Sequence, residues 1–153
     1  MITGWRIVRP EFADDAYSGR GASRDGGRWN SRGVPVAYAS ASLSVATLEL
    51  LVNVPATLRL PQYAVVTCHF PEVLVEELDT RRLPGTWRDY PAPAELQVLG
   101  DPWLASRAAA VLKVPSAVVP EEFNYLLNPE HPDFRSVDIG QPRPFRLDYR
   151  LRT

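Results

Sequence analysis

The sequence predicts an α+β fold in one compact domain, residues 1–153, with a mixed, mainly antiparallel sheet flanked by short helices. A length of 153 residues is typical of a single domain. Short strand-like and helix-like segments follow each other without the regular strand–helix–strand rhythm of a parallel α/β sheet. The 15 prolines are about double the usual share, which indicates short elements and rigid turns.

The first half of the chain predicts three strands, one loop and one helix. The strands are "WRIVR", "VPVAYAS" and "QYAVVTCHF", which are short, apolar or alternating. Residues 17–27 are rich in Gly, Ser and Arg and predict a flexible loop. The helix begins after Ser42 or Ser44 as its N-cap, runs to about Asn53 and is ended by Pro55.

The second half predicts more, and shorter, elements. "VLVEELD" is expected to be a strand that pairs with "QYAVVTCHF" through a turn at Pro71. "AELQVLG" predicts a helix that stops at Gly100, after which Asp101 and Pro102 begin another. "AAAVLKVP" and "SAVVP" predict two strands, "EEFNYLLN" a short helix, and "RSVDIG" and "FRLDYRL" two closing strands.

Composition argues against several classes of protein. The net charge is −1 and no basic block occurs, so we expect no direct binding to nucleic acid. Cys68 is the single cysteine, so an internal disulfide or a thiolate metal cluster is not expected. His69 and His131 are expected to be structural, and their spacing from acidic residues predicts no metal site.

The chain also lacks targeting and nucleotide-binding signals. Charges come too early for a signal peptide, and no apolar run approaches the roughly 20 residues of a membrane span, so we expect a cytoplasmic protein without membrane contact. No GxGxxG, GxxxxGK[ST] or GxSxG motif occurs.

Glu49 is the most informative residue. It lies in "ATLELLVN", a helix that is apolar on nearly all sides and is therefore expected to be buried. A carboxylate there is costly unless it is paired or faces a polar cleft. A buried salt bridge, with Arg28 or Arg6, and a catalytic carboxylate at the edge of a pocket are both open.

Four other residues have a structural and a functional interpretation. Arg28 follows two glycines, and its guanidinium either lies in solvent or binds phosphate oxygens. Trp29 and Tyr38 either pack in the core or stack against a flat ligand. The hydroxyl of Ser116 either satisfies nearby backbone groups or bonds a ligand.

Six motifs in order carry a resemblance to a known family. "GGRWN", "VAYAS", "ATLELLVN", "GDPWL", "LKVPSAVVP" and "NYLLNPEHPDF" resemble the RES domain family, toxins of bacterial toxin–antitoxin pairs. The resemblance runs from "WRIVR" to "NPEHPDF". It implies a fold similar to ADP-ribosyltransferase toxins and an enzyme that breaks down NAD as a consumed substrate, with no cofactor.

The resemblance also implies roles for particular residues. The arginine, glutamate and serine of the family name fall on Arg28, Glu49 and Ser116, and the tyrosine of its "VYAS" strand falls on Tyr38. These four are expected to be catalytic. Substrate-binding roles are expected for Arg6, Trp29 and Asn124. The family often has a tyrosine before the arginine at position 6, whereas this chain has Trp5.

The chemistry that the resemblance implies fits a buried carboxylate. Cleavage of the nicotinamide–ribose bond passes through an oxocarbenium-like state, whose positive charge Glu49 would stabilise. Arg28 would hold the pyrophosphate or ribose, Tyr38 would pack on the nicotinamide, and Ser116 would donate a hydrogen bond.

Two alternatives to NAD degradation remain. The chain could transfer ADP-ribose to a protein or to phosphate, or it could be a non-catalytic interaction domain in which Arg28 and Glu49 form a structural ion pair. The resemblance further implies an antitoxin partner, a small DNA-binding protein of the Xre-like helix-turn-helix type that covers the cleft. Residues 18–25 are a candidate contact for it.

Overall fold

The computed structural model describes residues 1–151, in which one curled sheet is surrounded by helices and short 3-10 turns. The strands are β1 (Ile2–Val8), β2 (Ala37–Ser40), β3 (Tyr63–Phe70), β4 (Val75–Glu77), β5 (Val111–Pro115), β6 (Phe123–Leu127), β7 (Asp138–Ile139) and β8 (Arg143–Phe145). The α-helices are α1 (Arg20–Asp25), α2 (Leu43–Asn53) and α3 (Glu95–Ser106). The 3-10 turns are Pro10–Asp15, Glu72–Leu74, Thr80–Arg82, Pro132–Ser136 and Tyr149–Leu151.

The sheet has the order β4-β5-β6-β2-β1-β3-β7, and β8 pairs with β3 beside β7. Among the described residues β4 and β5 are parallel and the other recorded pairs are antiparallel. The α+β class and the mixed, mainly antiparallel sheet are therefore confirmed.

Two apolar clusters form the core, one on each face of the sheet, because side chains alternate along a strand. One cluster joins alternate residues of β3 to the chain around Tyr17. The other lies under α3, where Trp103 and Leu104 meet Leu112 of β5 and Leu126 of β6.

Helix α2 begins where expected, because Ser42 is its N-cap and accepts a hydrogen bond from the Val45 N–H at 3.2 Å. The expectation that it is buried all round is wrong. Val45 is buried against the sheet, whereas Leu48 and Val52 face outward and are exposed. Glu49 lies between these two faces and is half-buried.

Strands β1 and β2 separate close to the start of α2. Their recorded pairing is Trp5 with Ser40. Beyond it the guanidinium of Arg6 donates to the carbonyl oxygen of Tyr38 at 2.9 Å. A side chain thus supplies a hydrogen bond to β2 at the place where the sheet opens.

Two predictions of strand position are wrong. "VLVEELD" contains β4, which pairs with β5 and not with β3, because β1 and the β7–β8 pair occupy the two edges of β3. "SAVVP" forms a turn, closed by hydrogen bonds from the Ser116 N–H to the Glu122 carbonyl and from the Glu122 N–H to the Val119 carbonyl.

Three predictions of helices or loops also need correction. "EEFNYLLN" contains strand β6, which is paired on both sides by β5 and β2. Helix α3 continues through Gly100 and Pro102 instead of ending and restarting. The predicted loop 17–27 contains α1, which stops at Gly26, a residue with φ of 73°.

The two closing strands are shorter than expected. "RSVDIG" contributes only β7, and of "FRLDYRL" only Phe145 lies in a strand. The 3-10 turn at Tyr149–Leu151 replaces the alternating pattern there.

Candidate active site

One cleft of about 1320 Å³ opens beside the separated strands β1 and β2. Its walls come from the segment between β1 and α1, from α2, from the loop that carries Arg88 and Tyr90, and from the chain on either side of Ser116. This volume is above the range of about 300–1,000 Å³ usual for small-molecule sites, so an extended ligand can be accommodated.

The carboxylate of Glu49 is held through one of its two oxygens. Oε1 accepts hydrogen bonds from the Ser116 hydroxyl and from the Asn124 side-chain amide, each at 2.7 Å. Among the hydrogen bonds of residues 1–151, none uses Oε2. One oxygen therefore fixes the carboxylate while the other is available to a ligand in the cleft.

Glu49 does not form the expected alternative, a salt bridge. No ion pair within residues 1–151 joins it to Arg28 or Arg6. Burial lowers the pKa of Arg28, and the negative charge of Glu49 opposes that shift. Both side chains line the same cleft.

The Ser116 hydroxyl has no capacity left for a ligand. It donates to Glu49 and accepts from the N–H groups of Val118 at 3.2 Å and Val119 at 3.1 Å. The residue is fully buried and is not part of the cleft wall. The hydroxyl therefore satisfies backbone groups, as the structural interpretation of Ser116 expects, and it also orients the carboxylate of Glu49.

Asn124 lies on β6, opposite Ser40 of β2. Its amide nitrogen donates to Glu49, and its carbonyl oxygen accepts from the Ser40 hydroxyl at 2.8 Å. The amide lines the cleft and touches the carboxylate at the same time.

Arg28 braces a loop. Its Nη1 donates to the carbonyl oxygens of Trp87 at 2.8 Å and Asp89 at 3.2 Å, and Arg88 Nε donates to the Ala117 carbonyl at 3.0 Å. The hydrogen bonds of Arg28 within residues 1–151 use Nη1 alone. Nε and Nη2 therefore remain for an anionic ligand.

Tyr38 fixes the turn that presents Arg28. Its hydroxyl donates to Asn30 Oδ1 at 2.6 Å and accepts from the Trp29 N–H at 3.1 Å. Burial raises the pKa of Tyr38, so the hydroxyl stays protonated. A Cβ at Gly27 would lie 2.7 Å from Asn30 Oδ1 and 2.8 Å from the Tyr38 hydroxyl, so this turn requires glycine.

The ring of Trp29 is buried, with 2% of the residue exposed, and it packs with Leu96 and Trp103 in the cluster under α3. Trp29 also lines the cleft, so a contact with substrate stays a prediction, although burial of its ring argues against stacking. Core packing, the other interpretation, fits this burial.

Arg6 brings a positive charge into the wall of the cleft. The side chain is half-buried, its Nε is buried without a hydrogen-bond partner within residues 1–151, and burial lowers the pKa of Arg6. Nη1 is bound by the Tyr38 carbonyl. An unpaired, desolvated guanidinium favours an anion nearby.

The charge of the cleft is opposite in sign to that of the whole chain. Arg20 pairs with Asp15 and Arg24 with Asp25 on its rim. The ion pairs within residues 1–151 do not include the other arginines of the cleft, which are Arg6, Arg9, Arg28 and Arg88. The carboxylate of Glu49 is the negative charge that opposes these four arginines. The cleft therefore carries net positive charge and favours an anionic ligand.

No group of three His, Cys, Asp or Glu residues in the described part of the chain could hold a metal ion. His69 contacts Thr3, and His131 accepts a hydrogen bond from the Asp133 N–H. Within residues 1–151 no helix has both the length and the apolar character needed to cross a membrane.

The sequence interpretation missed three residues of the site. Asn30 is fully buried and joins Tyr38 to the backbone of the turn, and Ser40 orients Asn124. Tyr90 lines the cleft from an exposed loop. "RWN" and "YAS" contain the first two, but nothing in one sequence separates such residues from ordinary polar ones.

The structure resembles a solved one. A chain in the crystal structure of the M. tuberculosis MbcT–MbcA toxin–antitoxin complex superposes with a TM-score of 0.73 at 19% identity, over 94% of this chain and 84% of that one. This likeness concerns the fold.

The sequence has closer relatives. A protein of Sphingobium sp. named "Prs ADP-ribosylating toxin" is 39% identical over 96% of this chain and 94% of its own length. A protein of Yersinia enterocolitica named "Toxin Res" is 36% identical over 97% and 98%. The model of the RES domain matches residues 3–148. This chain therefore belongs to the RES domain family.

Proposed function

We propose that this protein is the toxin of a toxin–antitoxin pair and that it cleaves the nicotinamide–ribose bond of NAD. The observation that carries the proposal is the half-buried Glu49, fixed through Oε1 by Ser116 and Asn124 at the wall of a cleft with four arginines that form no ion pair within residues 1–151. The names of the relatives in Yersinia enterocolitica and Sphingobium support the toxin assignment.

The reaction requires a site that binds the pyrophosphate and that stabilises positive charge on the ribose. NAD carries a pyrophosphate, which the guanidinium groups of Arg6 and Arg28 can bind. As the C1′–N1 bond breaks, its electron pair neutralises the nicotinamide ring, and positive charge develops on the ribose. Oε2 of Glu49 stabilises that charge, and a bound substrate strengthens the interaction by displacing water from around the carboxylate.

No strong general acid is needed, because nicotinamide leaves as a neutral molecule. The acceptor oxygen then bonds to C1′ and gives its proton to solvent. The absence of histidine from the walls of the described cleft is compatible with this scheme.

Transfer of ADP-ribose to a protein is the second candidate. The name "Prs ADP-ribosylating toxin", carried by a relative at 39% identity, favours it. The bond that breaks is the same, and only the acceptor differs.

Incubation of the purified protein with NAD tests the proposal by measuring release of nicotinamide. Glu49→Gln keeps the size of the side chain and removes its charge, so we expect it to fold and to lose about 100-fold or more in rate. A folded variant with full activity, or a wild-type protein without turnover, would contradict the proposal. Mass spectrometry then distinguishes free ADP-ribose from a mass-shifted protein.

The solved structure with the same fold is that of a toxin–antitoxin complex. By analogy, we propose that an antitoxin covers this cleft and that its contacts include α1, which forms part of the rim. Deletion of residues 20–25 is expected to weaken complex formation, measured by co-purification with the protein encoded next to this gene. The cytoplasm, where NAD is available, is the proposed site of action.

A further inference from the structure

Ser40 lies behind the candidate catalytic groups, at the end of β2. It is paired with Trp5 of β1 on one side and with Asn124 of β6 on the other, and 4% of it is exposed. Its hydroxyl donates to Asn124 Oδ1 at 2.8 Å. Ser40 therefore contacts a residue that contacts Glu49.

The direction of these hydrogen bonds is set by the carboxylate. An ionised carboxylate only accepts, so Asn124 must present its NH₂ group to Glu49. The amide oxygen then faces Ser40, whose hydroxyl must donate. A flipped amide would place two oxygen atoms, Oδ1 of Asn124 and Oε1 of Glu49, against each other.

The contacts of Ser116 make the second anchor independent of Ser40. Its hydroxyl is oriented by the N–H groups of Val118 and Val119, in the turn after β5. Glu49 is thus held by one anchor from this turn and by another that passes through Asn124 to Ser40. Removal of the Ser40 hydroxyl affects the second anchor alone.

We propose that Ser40 is a positioning residue. Through Asn124 it holds Glu49 so that Oε2 points at the reacting ribose. The inference rests on the proposed function, since it assigns Ser40 to the NAD-cleaving reaction. It predicts an effect on the chemical step and little effect on binding, because Ser40 is not in the walls of the cleft of about 1320 Å³ and lines only a smaller adjoining hollow of about 240 Å³.

Steady-state kinetics on Ser40→Ala, Asn124→Ala and the double variant test it. We expect kcat of Ser40→Ala to fall about tenfold with KM changed less than about twofold, a loss confined to the transition state. The double variant should be no slower than Asn124→Ala, because both substitutions break the same anchor. An unchanged kcat in Ser40→Ala, or losses that multiply in the double variant, would overturn the proposal.

Two further variants separate positioning from folding. Ser40→Cys keeps a side chain of the same shape but replaces the hydroxyl by a larger and weaker donor. Its kcat should fall even if Ser40→Ala does not fold, and a wild-type kcat in Ser40→Cys counts against the proposal. Ser106→Ala is the matched control. It removes a serine hydroxyl that donates to the Trp103 carbonyl at the end of α3, and it should leave kcat unchanged.

A wild-type protein that does not cleave NAD would contradict the proposed function but not the hydrogen bonds that link Ser40, Asn124 and Glu49. The side-chain amide signals of Asn124, assigned by their disappearance in Asn124→Ala, then decide. In ¹⁵N NMR spectra we expect them to shift and to exchange faster with solvent in Ser40→Ala. Unchanged signals would refute the positioning role whatever the reaction is.

Discussion

The Ser116 hydroxyl lies 2.7 Å from Glu49 Oε1, although 67 residues separate them in the sequence. Glu49 comes from α2, and Ser116 from the turn after β5. The hydroxyl has one proton, and that proton is committed to the carboxylate. Ser116 therefore acts through Glu49 and not on a ligand.

Ser116→Ala is expected to weaken both the fold and the activity. It removes a donor to Glu49 and the acceptor for the N–H groups of Val118 and Val119. The free energy of unfolding should fall by about 1–3 kcal/mol, because these groups are left without a partner. Urea denaturation measures this, and the rate of nicotinamide release should fall about tenfold or more. A variant with normal rate and normal stability would show that the anchor is dispensable.

Arg6→Met separates stability from ligand binding. The substitution removes a half-buried charge that lacks an ion-pair partner among residues 1–151, and it also removes the hydrogen bond to the Tyr38 carbonyl. These effects oppose each other, so the free energy of unfolding should stay within about 1 kcal/mol of the wild type.

The same variant should bind NAD poorly. Loss of a charge-assisted hydrogen bond costs about 1.5–3 kcal/mol, so KM should rise about tenfold or more. Arg135→Met, on an exposed turn outside the cleft, is the control and should leave KM unchanged. If both variants have the wild-type KM, Arg6 does not contact the substrate.

Gly100→Ala should destabilise the protein despite the higher helix propensity of alanine. A Cβ at Gly100 would overlap the backbone carbonyl of Trp29, so α3 would have to move away. We expect a loss of about 1–3 kcal/mol or more in the free energy of unfolding. Gly21→Ala is the matched control, because its Cβ meets nothing within 4 Å, and in helix α1 it should stabilise by about 0.5–1 kcal/mol. Equal effects of the two substitutions in thermal denaturation would contradict this packing.

Stability should decline at alkaline pH because of Cys68. Burial raises the pKa of this thiol to about 11. The unfolded thiol has a pKa of about 8.5, so above that pH the unfolded state binds fewer protons and is favoured. The free energy of unfolding is therefore unaffected by ionisation of this thiol below about pH 8.5 and falls by up to about 3 kcal/mol as the pH rises toward 11.

Urea denaturation between pH 8 and pH 10 measures this decline. Cys68→Ala should lower stability at pH 8, where the thiol is protonated in both states, and should reduce the slope of stability against pH. The slope should not vanish, since burial also raises the pKa of Tyr17. Parallel curves for wild type and variant would show that the thiol does not contribute.

Much of the first half of the fold was predictable because its signals are local. The Ser42 cap and Pro55 delimit a helix, and β2 and β3 are short apolar runs bounded by turns. The group Glu49, Ser116 and Asn124 was predictable only through the family resemblance. No pattern in one sequence tells that residues on α2, a turn and β6 share a hydrogen-bond network.

Strand β6 shows where local reasoning fails. "EEFNYLLN" contains good helix formers, yet Asn124 and Leu126 lie in the middle of the sheet between β5 and β2. Two neighbouring strands supply a full set of hydrogen bonds there, and burial of Leu126 outweighs a weak helical preference.

The prediction for helix α3 fails for the opposite reason. Residues that usually end a helix, such as Gly100 and Asp101, make tertiary contacts here. Gly100 gives Trp29 room to approach, and Asp101 accepts hydrogen bonds from the Ser31 N–H and hydroxyl. Pro102 removes one helical N–H, the partner of the carbonyl of Val98 one turn earlier, and Val98 faces solvent. Gly100 and Asp101 thus resemble stop signals in the sequence but make tertiary contacts in the structure, whereas Pro102 is tolerated on an exposed face of the helix.

The placement of β6 between β2 and β5 has a consequence for protein synthesis. A ribosome-bound chain that already displays α2 still lacks both anchors of the carboxylate and the inner strand β6 of its sheet. Any catalytic power that resides in this cleft must therefore stay latent until translation has passed Leu127, which spares the producing cell from unfinished copies.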